Sequence, residues 1–398
     1  MSEPQPSSRA PAPPTEPPST RRPSRRWVLV VFSVLLAGLA VTATRLGWIE
    51  RARERIYGPA PRLAAGDFPA GVMAPIDDVV KIPGRAMVVG IVPHGSEAPL
   101  LWAAGDSERV GLFRAGYAID VRVTRFDREE ELRKALISGG ENGGVDLAVL
   151  PVSSVAMSAS LLRNANPRVI MLVGRSRGQE VLVGKGITRV QELVGKRIAV
   201  EDRSGPWYLL LWALSRAGLS LRDVQLVPLD SAFTAGAALR DGKVDAVAGL
   251  VGDVSPVAKE VGAQTLATTA DAPHLLATVL VARGDFAARY PDAIRRYLRG
   301  ALDANAQVLK DRTEAARVLG TLAPQLGDPM EAISLAPPAT LKENLAFFSV
   351  SDEAPVTWRE LFDSAASLNQ KLFNAPPAPA AEDTADLGAL KYVAGNAP

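Results

Sequence analysis

Small polar and charged residues follow the predicted strands at the turns where helices begin, and these residue types could recognise a ligand. They are His94, Gly95, Ser96 and Glu97; Ser153 and Ser154; Arg203, Ser204, Gly205 and Trp207; Asp230 and Ser231; and Gly252 and Asp253. A helix N-terminus presents unpaired backbone N–H groups and a partial positive charge, so several that converge can bind an anion or a polar ligand without a lysine. Each charge-assisted hydrogen bond of this kind contributes about 1.5–3 kcal/mol, and a few of them suffice for micromolar affinity.

The same residues have plainer roles that the sequence does not exclude. Serine, aspartate and glycine at helix starts are capping residues first, and His94 serves equally well to brace its own loop. The charge of the ligand is also open. Serine and glycine loops favour an oxyanion such as a sulfonate, nitrate or a phospho-compound, whereas Glu97, Asp202 and Asp253 could bind an amine, and a zwitterion would satisfy both.

No residue pattern indicates catalysis. The chain of 398 residues has no cysteine and two histidines, His94 and His274, which excludes thiol nucleophiles and thiolate zinc sites and disfavours a histidine metal cluster. The sequence contains no Gly-x-Gly-x-x-Gly or Walker loop of the kind that binds nucleotides. Its net charge of +2 does not indicate nucleic-acid binding. We therefore expect a binding protein rather than an enzyme, with no cofactor, no metal and no nucleic-acid partner.

Two similar segments must position these turns. Val145–Leu150 and Val244–Leu250 each follow a helix-like stretch and a glycine, run through apolar residues, and then break into small polar residues. Such runs predict strands buried on both faces, as in a parallel sheet, whose carboxyl edge is where ligands bind in open α/β folds. Strand and helix patterns alternate from Ala86 to Thr269, and helices follow from Phe286. The sequence therefore predicts an α/β protein with two mostly parallel sheets whose carboxyl edges face each other across a cleft.

The two ends of the chain are predicted to lie outside this body. Residues 1–26 are rich in proline and arginine and indicate a disordered tail. Residues 27–49 are apolar, with an arginine cluster on their N-terminal side. This pattern predicts a single transmembrane helix that anchors the protein in the inner membrane with its bulk outside. A cleaved secretory or twin-arginine signal is the alternative. Residues 50–85 are predicted to be a linker, and residues 374–398 a loose tail.

Three segments resemble one known family. They are Gly184–Val200, Ala238–Ala246, and Thr269–Phe286 together with Pro291. All three are similar to segments of the periplasmic solute-binding proteins that serve nitrate/sulfonate/taurine-type ABC transporters. The third most resembles members described as phosphate or generic substrate-binding proteins, some of them fused to an OmpA domain. The resemblance covers roughly Met87 to Leu309.

This resemblance implies a two-lobe type II periplasmic-binding fold, with lobe one at 86–177 plus 281–373, lobe two at 178–280, and two crossing strands as a hinge. The ligand would lie between the lobes against the turns named above, and the closed form would dock on an ABC permease. Many members carry a tryptophan in the loop that corresponds to Leu250–Asp253, so the identity of the ligand does not transfer.

We thus expect an exported, membrane-tethered protein of the periplasm or extracytoplasmic face. It would capture a small anionic or zwitterionic ligand and deliver it to an ABC importer. Two alternatives use the same fold. One is a ligand-sensing or scaffold domain, and the other is an enzyme like the pyrimidine-precursor synthases, whose cysteine-rich segment has no counterpart in this sequence.

Overall fold

The computed structural model describes residues 83–396 with the exception of positions 107, 108, 230 and 352. The predicted tail at 1–26, the apolar segment at 27–49 and nearly all of the linker lie outside the described residues, as does Asp230. In the part of the chain that is described, no helix is both long and apolar enough to cross a membrane.

The strands form two five-stranded sheets. They are β1 (Met87–Ile91), β2 (Val121–Arg125), β3 (Leu147–Pro151), β4 (Arg168–Arg175), β5 (Glu180–Lys185), β6 (Arg197–Val200), β7 (Gln225–Pro228), β8 (Ala246–Leu250), β9 (Ala263–Thr268) and β10 (Ala277–Ala282). The first sheet has the order β2-β1-β3-β10-β4, and the second has the order β7-β6-β8-β5-β9. We call the first sheet with its helices lobe one, and the second sheet with its helices lobe two. Strands β1, β3 and β8 are buried along their whole length, as their apolar sequences predict.

Helices cover both sheets. They are α1 (Ala98–Ala104), α2 (Leu112–Tyr117), α3 (Glu129–Ser138), α4 (Val152–Met157), α5 (Ala159–Leu162), α6 (Gly205–Arg216), α7 (Ala235–Arg240), α8 (Val251–Val261), α9 (Gly284–Arg289), α10 (Pro291–Lys310), α11 (Thr313–Leu322), α12 (Pro329–Leu335), α13 (Leu341–Phe347), α14 (Trp358–Phe373), α15 (Ala381–Thr384) and α16 (Gly388–Gly395). Short 3₁₀ turns lie at Gly95–Glu97, Gly140–Asn142, Arg163–Ala165, Val190–Leu193, Leu221–Asp223, Ala232–Thr234 and Pro324–Leu326. In lobe one, α10 packs on α1, α2 and α16, and α14 packs on α4. In lobe two, α6 and α8 both pack on β5.

One strand in each sheet runs against the other four. In lobe one β10 is antiparallel to both of its neighbours, β3 and β4. In lobe two β5 is antiparallel to β8 and β9. Both opposed strands directly follow a crossing of the chain from one lobe to the other, at 176–179 and at 269–276. Four strands of each sheet point the same way, as expected, and the fifth makes both sheets mixed. An apolar run predicts burial but not direction.

Two aspartates hold equivalent turns, one in each lobe. Asp146, before β3, accepts hydrogen bonds from the Val88 N–H at 2.9 Å and from Arg85 at 2.6 and 2.7 Å. Asp245, before β8, accepts from the backbone N–H of Arg197 at 2.9 Å and from its guanidinium Nη2 at 2.9 Å. Each carboxylate ties the start of a central strand to the neighbouring strand, which explains why the sequence repeats Val-Asp at both places.

The C-terminal segment packs on lobe one, in contrast to the loose tail expected for residues 374–398. The carbonyl of Ala381 accepts from the Trp358 indole N–H at 2.9 Å, and Asp386 N–H donates to Val169 O at 2.9 Å at the edge of β4. Leu390, in α16, is fully buried. The proline- and alanine-rich composition suggested a tail because few residues of this segment are buried, namely Ala381, Thr384, Leu390 and Val393.

Asp146→Ala should destabilise the fold more than Asp245→Ala. The Asp146 side chain is 3% exposed, and its removal leaves a buried N–H without an acceptor, a loss of about 1.5–3 kcal/mol. The Asp245 side chain is 33% exposed, so water can replace the lost carboxylate. Urea unfolding of both variants measures the difference, and equal losses would contradict the assignment.

Candidate functional site

The centre of the candidate site is a pair of glutamates between the lobes, one at the end of β6 and one at the start of α3. Glu201 Oε1 accepts from the backbone N–H of Glu129, in lobe one, at 2.9 Å. Its other oxygen, Oε2, accepts from the N–H of Ala232, in lobe two, at 2.9 Å. One buried carboxylate therefore links the beginnings of two helical segments that belong to different lobes.

Glu129 makes the reciprocal contact. Its Oε1 accepts from the Gly205 N–H, at the beginning of α6 in lobe two, at 3.4 Å. Its Oε2 lies 3.6 Å from Arg133 Nη1, which donates to the Ser154 hydroxyl at 2.8 Å. Glu129, Arg133 and Ser154 are all buried, so the carboxyl edges of the two sheets meet through charged groups that are removed from water.

The two crossing segments form a second polar cluster beside the first. The Glu180 carboxylate accepts from the hydroxyls of Ser176 and Thr269, the latter at 3.0 Å. Thr269 Oγ1 also accepts from the Gly178 N–H at 2.9 Å, so it joins both crossings. The other oxygen of Glu180 lies close to the start of α6, since a Cβ atom on Gly205 would be 3.2 Å from Glu180 Oε1. Carboxylates from both lobes thus stand at the N-terminus of α6.

The loop after β1 approaches the same region from lobe one. The His94 N–H donates to Glu97 Oε2 at 2.9 Å, and His94 Nδ1 lies 2.8 Å from Val92 O. Ser96 Oγ donates to Glu97 Oε1 at 3.1 Å. Gly95 N–H donates to Gln179 Oε1, in the first crossing, at 3.3 Å. His94 therefore braces its own loop, one of the two roles that the sequence left open.

Burial changes the acid–base behaviour of these groups. It raises the pKa of Glu97 and of Glu129 above their usual range. Burial and the nearby Glu129 carboxyl raise the pKa of Glu201 to about 7. Burial lowers the pKa of the His94 imidazole, but the carboxylates of Glu97 and Glu180 outweigh it and leave that pKa above its usual value. The site therefore retains protons that free carboxyl groups lose.

The α6 turn contains both capping and aromatic contacts. Ser204 Oγ accepts from the Trp207 N–H at 3.2 Å and donates to Glu201 O at 2.7 Å, which is a capping role. Arg203 pairs with Asp202 at 2.6 Å and lies over the ring of Phe373, which also stacks on Trp207.

The other predicted residues divide between the cleft and the interior of single lobes. Ser231 Oγ donates across the lobes to Asp127 O at 2.7 Å. Gly252 approaches the backbone of Leu326 in lobe one. Asp253 Oδ2 instead accepts from Gly236 N–H within lobe two, at 2.8 Å, and the structure does not bring it to the glutamate cluster. Ser153 is buried without a hydrogen-bond partner for its hydroxyl.

Sequence reasoning missed the residues that dominate the cluster: Glu129, Arg133, Ser176, Gln179, Glu180, Glu201 and Thr269. A signal was available for two of them. Glu201 directly follows the strand at 197–200, and Glu129 begins the helix after the strand at 121–125. Both thus satisfy the same strand-to-helix criterion that selected the serines and glycines.

Comparison with known proteins agrees with this architecture. Residues 141–315 match the family described as NMT1/THI5 like. The taurine-binding periplasmic protein of Escherichia coli (strain K12) is 32% identical over 200 residues, which are 48% of this chain and 57% of that protein. The chain thus matches a little over half the length of this curated relative.

Solved structures show the fold. The alkanesulfonate-binding protein SsuA from Xanthomonas axonopodis pv. citri, bound to MOPS, superposes with a TM-score of 0.61 at 18% identity, over 76% of this chain and 98% of that one. The desulfurization enzyme DSZB superposes with a TM-score of 0.52 at 16% identity, over 78% of this chain and 99% of that one. The resemblance to nitrate/sulfonate/taurine-type periplasmic solute-binding proteins is confirmed, and the two mixed sheets with their helices are those of a type II periplasmic-binding fold.

The free energy of unfolding should fall as the pH rises from about 4.5 to about 7. In this window folded Glu201 keeps a proton that the unfolded chain releases, so the folded state binds more protons and loses stability with rising pH. The full shift corresponds to roughly 3 kcal/mol, and the raised pKa values of Glu97, Glu129 and His94 act in the same direction. Urea unfolding at several pH values measures the slope. Glu201→Gln should flatten it, and an unchanged slope in that variant would contradict the role of Glu201.

Proposed function

We propose that this protein is an exported solute-binding protein that captures a small polar ligand between its two lobes and delivers it to an ABC importer. In this proposal residues 27–49 anchor it at the extracytoplasmic face of the inner membrane. The observation that carries the proposal is the buried polar cluster between two lobes that are connected by two crossing segments. The match to a taurine-binding periplasmic protein supports the same conclusion.

The contacts between the lobes suit a hinge that opens and closes. They include the Glu201 bridge, the Glu129 bond to Gly205 and the Ser231 bond to Asp127, all of them hydrogen bonds that water can replace when the lobes separate. A ligand that bonds to both lobes favours the closed form by its differential affinity for that form. The closed form would then be the one that the permease recognises.

The ligand of this proposal is small and is anionic or zwitterionic, as the serine and glycine turns indicate. Ser154 belongs to the buried network of the cleft through its bond from Arg133. Ser231 and Gly252 lie where the lobes approach each other. These residues, rather than Asp253, are the ones that we assign to the ligand-binding surface.

A thermal-shift screen of the full chain tests this function. Sulfonates, nitrate, phosphate, phosphonates, amino acids and pyrimidines are the compounds to compare. A ligand at about a hundred times its dissociation constant should add about 2.7 kcal/mol of stability and raise the melting temperature. If every compound leaves the melt of a folded protein unchanged, the solute-binding function is wrong.

Gly252→Ala should hinder closure of the lobes. A Cβ atom on Gly252 would lie 2.0 Å from the carbonyl oxygen of Leu326 in lobe one, a distance that forces the two backbones apart. We expect weaker binding of any ligand found in the screen, and a larger radius of gyration by small-angle X-ray scattering. Gly84→Ala is the matched control, because no atom lies within 4 Å of its added Cβ. Unchanged affinity in Gly252→Ala would contradict closure around the ligand.

A further inference from the structure

The cleft contains more buried negative than positive groups. Four carboxylates line it, those of Glu97, Glu129, Glu180 and Glu201, and each residue is at most 4% exposed. The buried cations among them are Arg133 and His94. With all six groups ionised, the cluster would carry two uncompensated negative charges. Buried charge of this kind is costly unless it is paired or neutralised.

Two polar atoms in this cluster are without hydrogen bonds. Glu129 Oε2 makes none and lies 3.6 Å from Arg133 Nη1, although the other oxygen of the same carboxylate bonds across the lobes to Gly205. Gln179 Nε2 makes none, although the other atom of the same amide accepts from Gly95. Gln179 is 1% exposed and Glu129 is 3% exposed. Buried polar groups in native proteins normally have partners, so the Gln179 N–H is left as a donor for a ligand. Glu129 Oε2 can accept a hydrogen bond from a ligand beside its longer contact with Arg133.

The helix N-terminus that would attract an anion is already covered by negative charge. Glu129 accepts from the Gly205 N–H, and Glu180 Oε1 lies at the same end of α6. An anionic group brought to this point would be repelled by both carboxylates. A cationic group would instead be attracted by both, and it would compensate the excess charge of the cleft.

We propose that the ligand presents a cationic nitrogen, such as an ammonium or a protonated amidine, to the carboxylate of Glu129 between the lobes. The acceptor group of the same molecule takes the free N–H of Gln179. This inference rests on the proposed solute-binding function and revises the charge of its ligand: of the anionic or zwitterionic ligands it keeps the zwitterion, and it adds a cation. A purely anionic ligand is excluded by it.

The number of protons released or taken up on binding distinguishes a cationic ligand from an anionic one. The groups that face the nitrogen are Glu129 and Arg133 of α3, Glu180 of β5, Glu201 after β6, and His94 and Glu97 of the loop after β1. Burial raises the pKa of Glu129 above its usual range, and burial together with the Glu129 carboxyl raises the pKa of Glu201 to about 7. A cation favours their ionised forms, so its binding releases protons, whereas binding of an anion takes protons up.

The first experiment measures the binding of three small molecules to the full chain by calorimetry and thermal shift. It is done in addition to the thermal-shift screen described above. Taurine has an amine and a sulfonate, ethanesulfonate lacks the amine, and ethanolamine lacks the sulfonate. We expect amine-bearing compounds to bind and ethanesulfonate not to bind. Calorimetry near pH 7 in two buffers of different ionisation enthalpy should detect proton release with the bound amine.

The second experiment uses variants of neighbouring residues on α3. Glu129→Gln should weaken binding of the amine-bearing compound by roughly ten- to a hundredfold, the loss of one charge-assisted hydrogen bond, and should reduce the proton release. Glu130→Gln is the matched control, because the Glu130 side chain is 47% exposed and pairs with Lys134. Thermal melts show whether each variant is folded.

The outcomes separate the two proposals. If ethanesulfonate binds as tightly as taurine, or if binding takes up protons, the cation assignment is wrong while the solute-binding function stands. If Glu129→Gln is folded and binds the amine as tightly as the parent protein, Glu129 does not hold the nitrogen and the assignment is again wrong. If no compound of the trio or the wider screen binds, both proposals are wrong.

Discussion

The burial of Glu201 between two helix starts is the interaction on which the closed arrangement of the lobes depends. Its two oxygens satisfy backbone N–H groups from different lobes, those of Glu129 and Ala232. Those groups would otherwise be buried donors without acceptors, which costs about 1–3 kcal/mol each. The same burial penalises the charged form of the carboxyl group, so the contact that joins the lobes is also sensitive to protonation.

This combination suits the proposed function, in which the lobes must open. A cleft closed by apolar packing would be stable in the closed form without a ligand, and binding would gain little from closure. Here the cleft closes on carboxylates, whose mutual repulsion opposes closure unless a proton or a cation neutralises them. In the proposed function, charge compensation in the cleft would set the energetic balance between the open and closed forms. Ligand binding and lobe closure would then be two aspects of that one balance.

The hinge segments contribute rigidity where the chain changes lobes. Thr269 and Ser176 hydroxyls both bind Glu180, and Ser176 N–H donates to Leu276 O at 3.1 Å. These bonds join the two crossings side by side, so the lobes would rotate about a shared axis. Because Glu180 also reaches the start of α6, the crossing segments and the glutamate cluster have a residue in common.

Local patterns in the sequence determined the elements of the fold. The strands Leu147–Pro151 and Ala246–Leu250 form where the two apolar runs predict them, and the Val-Asp repeats mark the turns held by Asp146 and Asp245. Such patterns are properties of adjacent residues, so one chain suffices to read them. Segment similarity then indicated the type II periplasmic-binding fold.

Only the tertiary structure decided which charges meet. Glu129 and Glu201 are 72 positions apart, and each resembles an ordinary exposed glutamate at a helix start or strand end. Their shared burial depends on how two separately folded sheets dock, and a raised pKa depends on every group within a few ångströms. For the same reason the sequence of the C-terminal segment predicts a loose tail, whereas in the structure this segment packs on β4 and α10. Composition is local, whereas burial and electrostatics belong to the assembled fold.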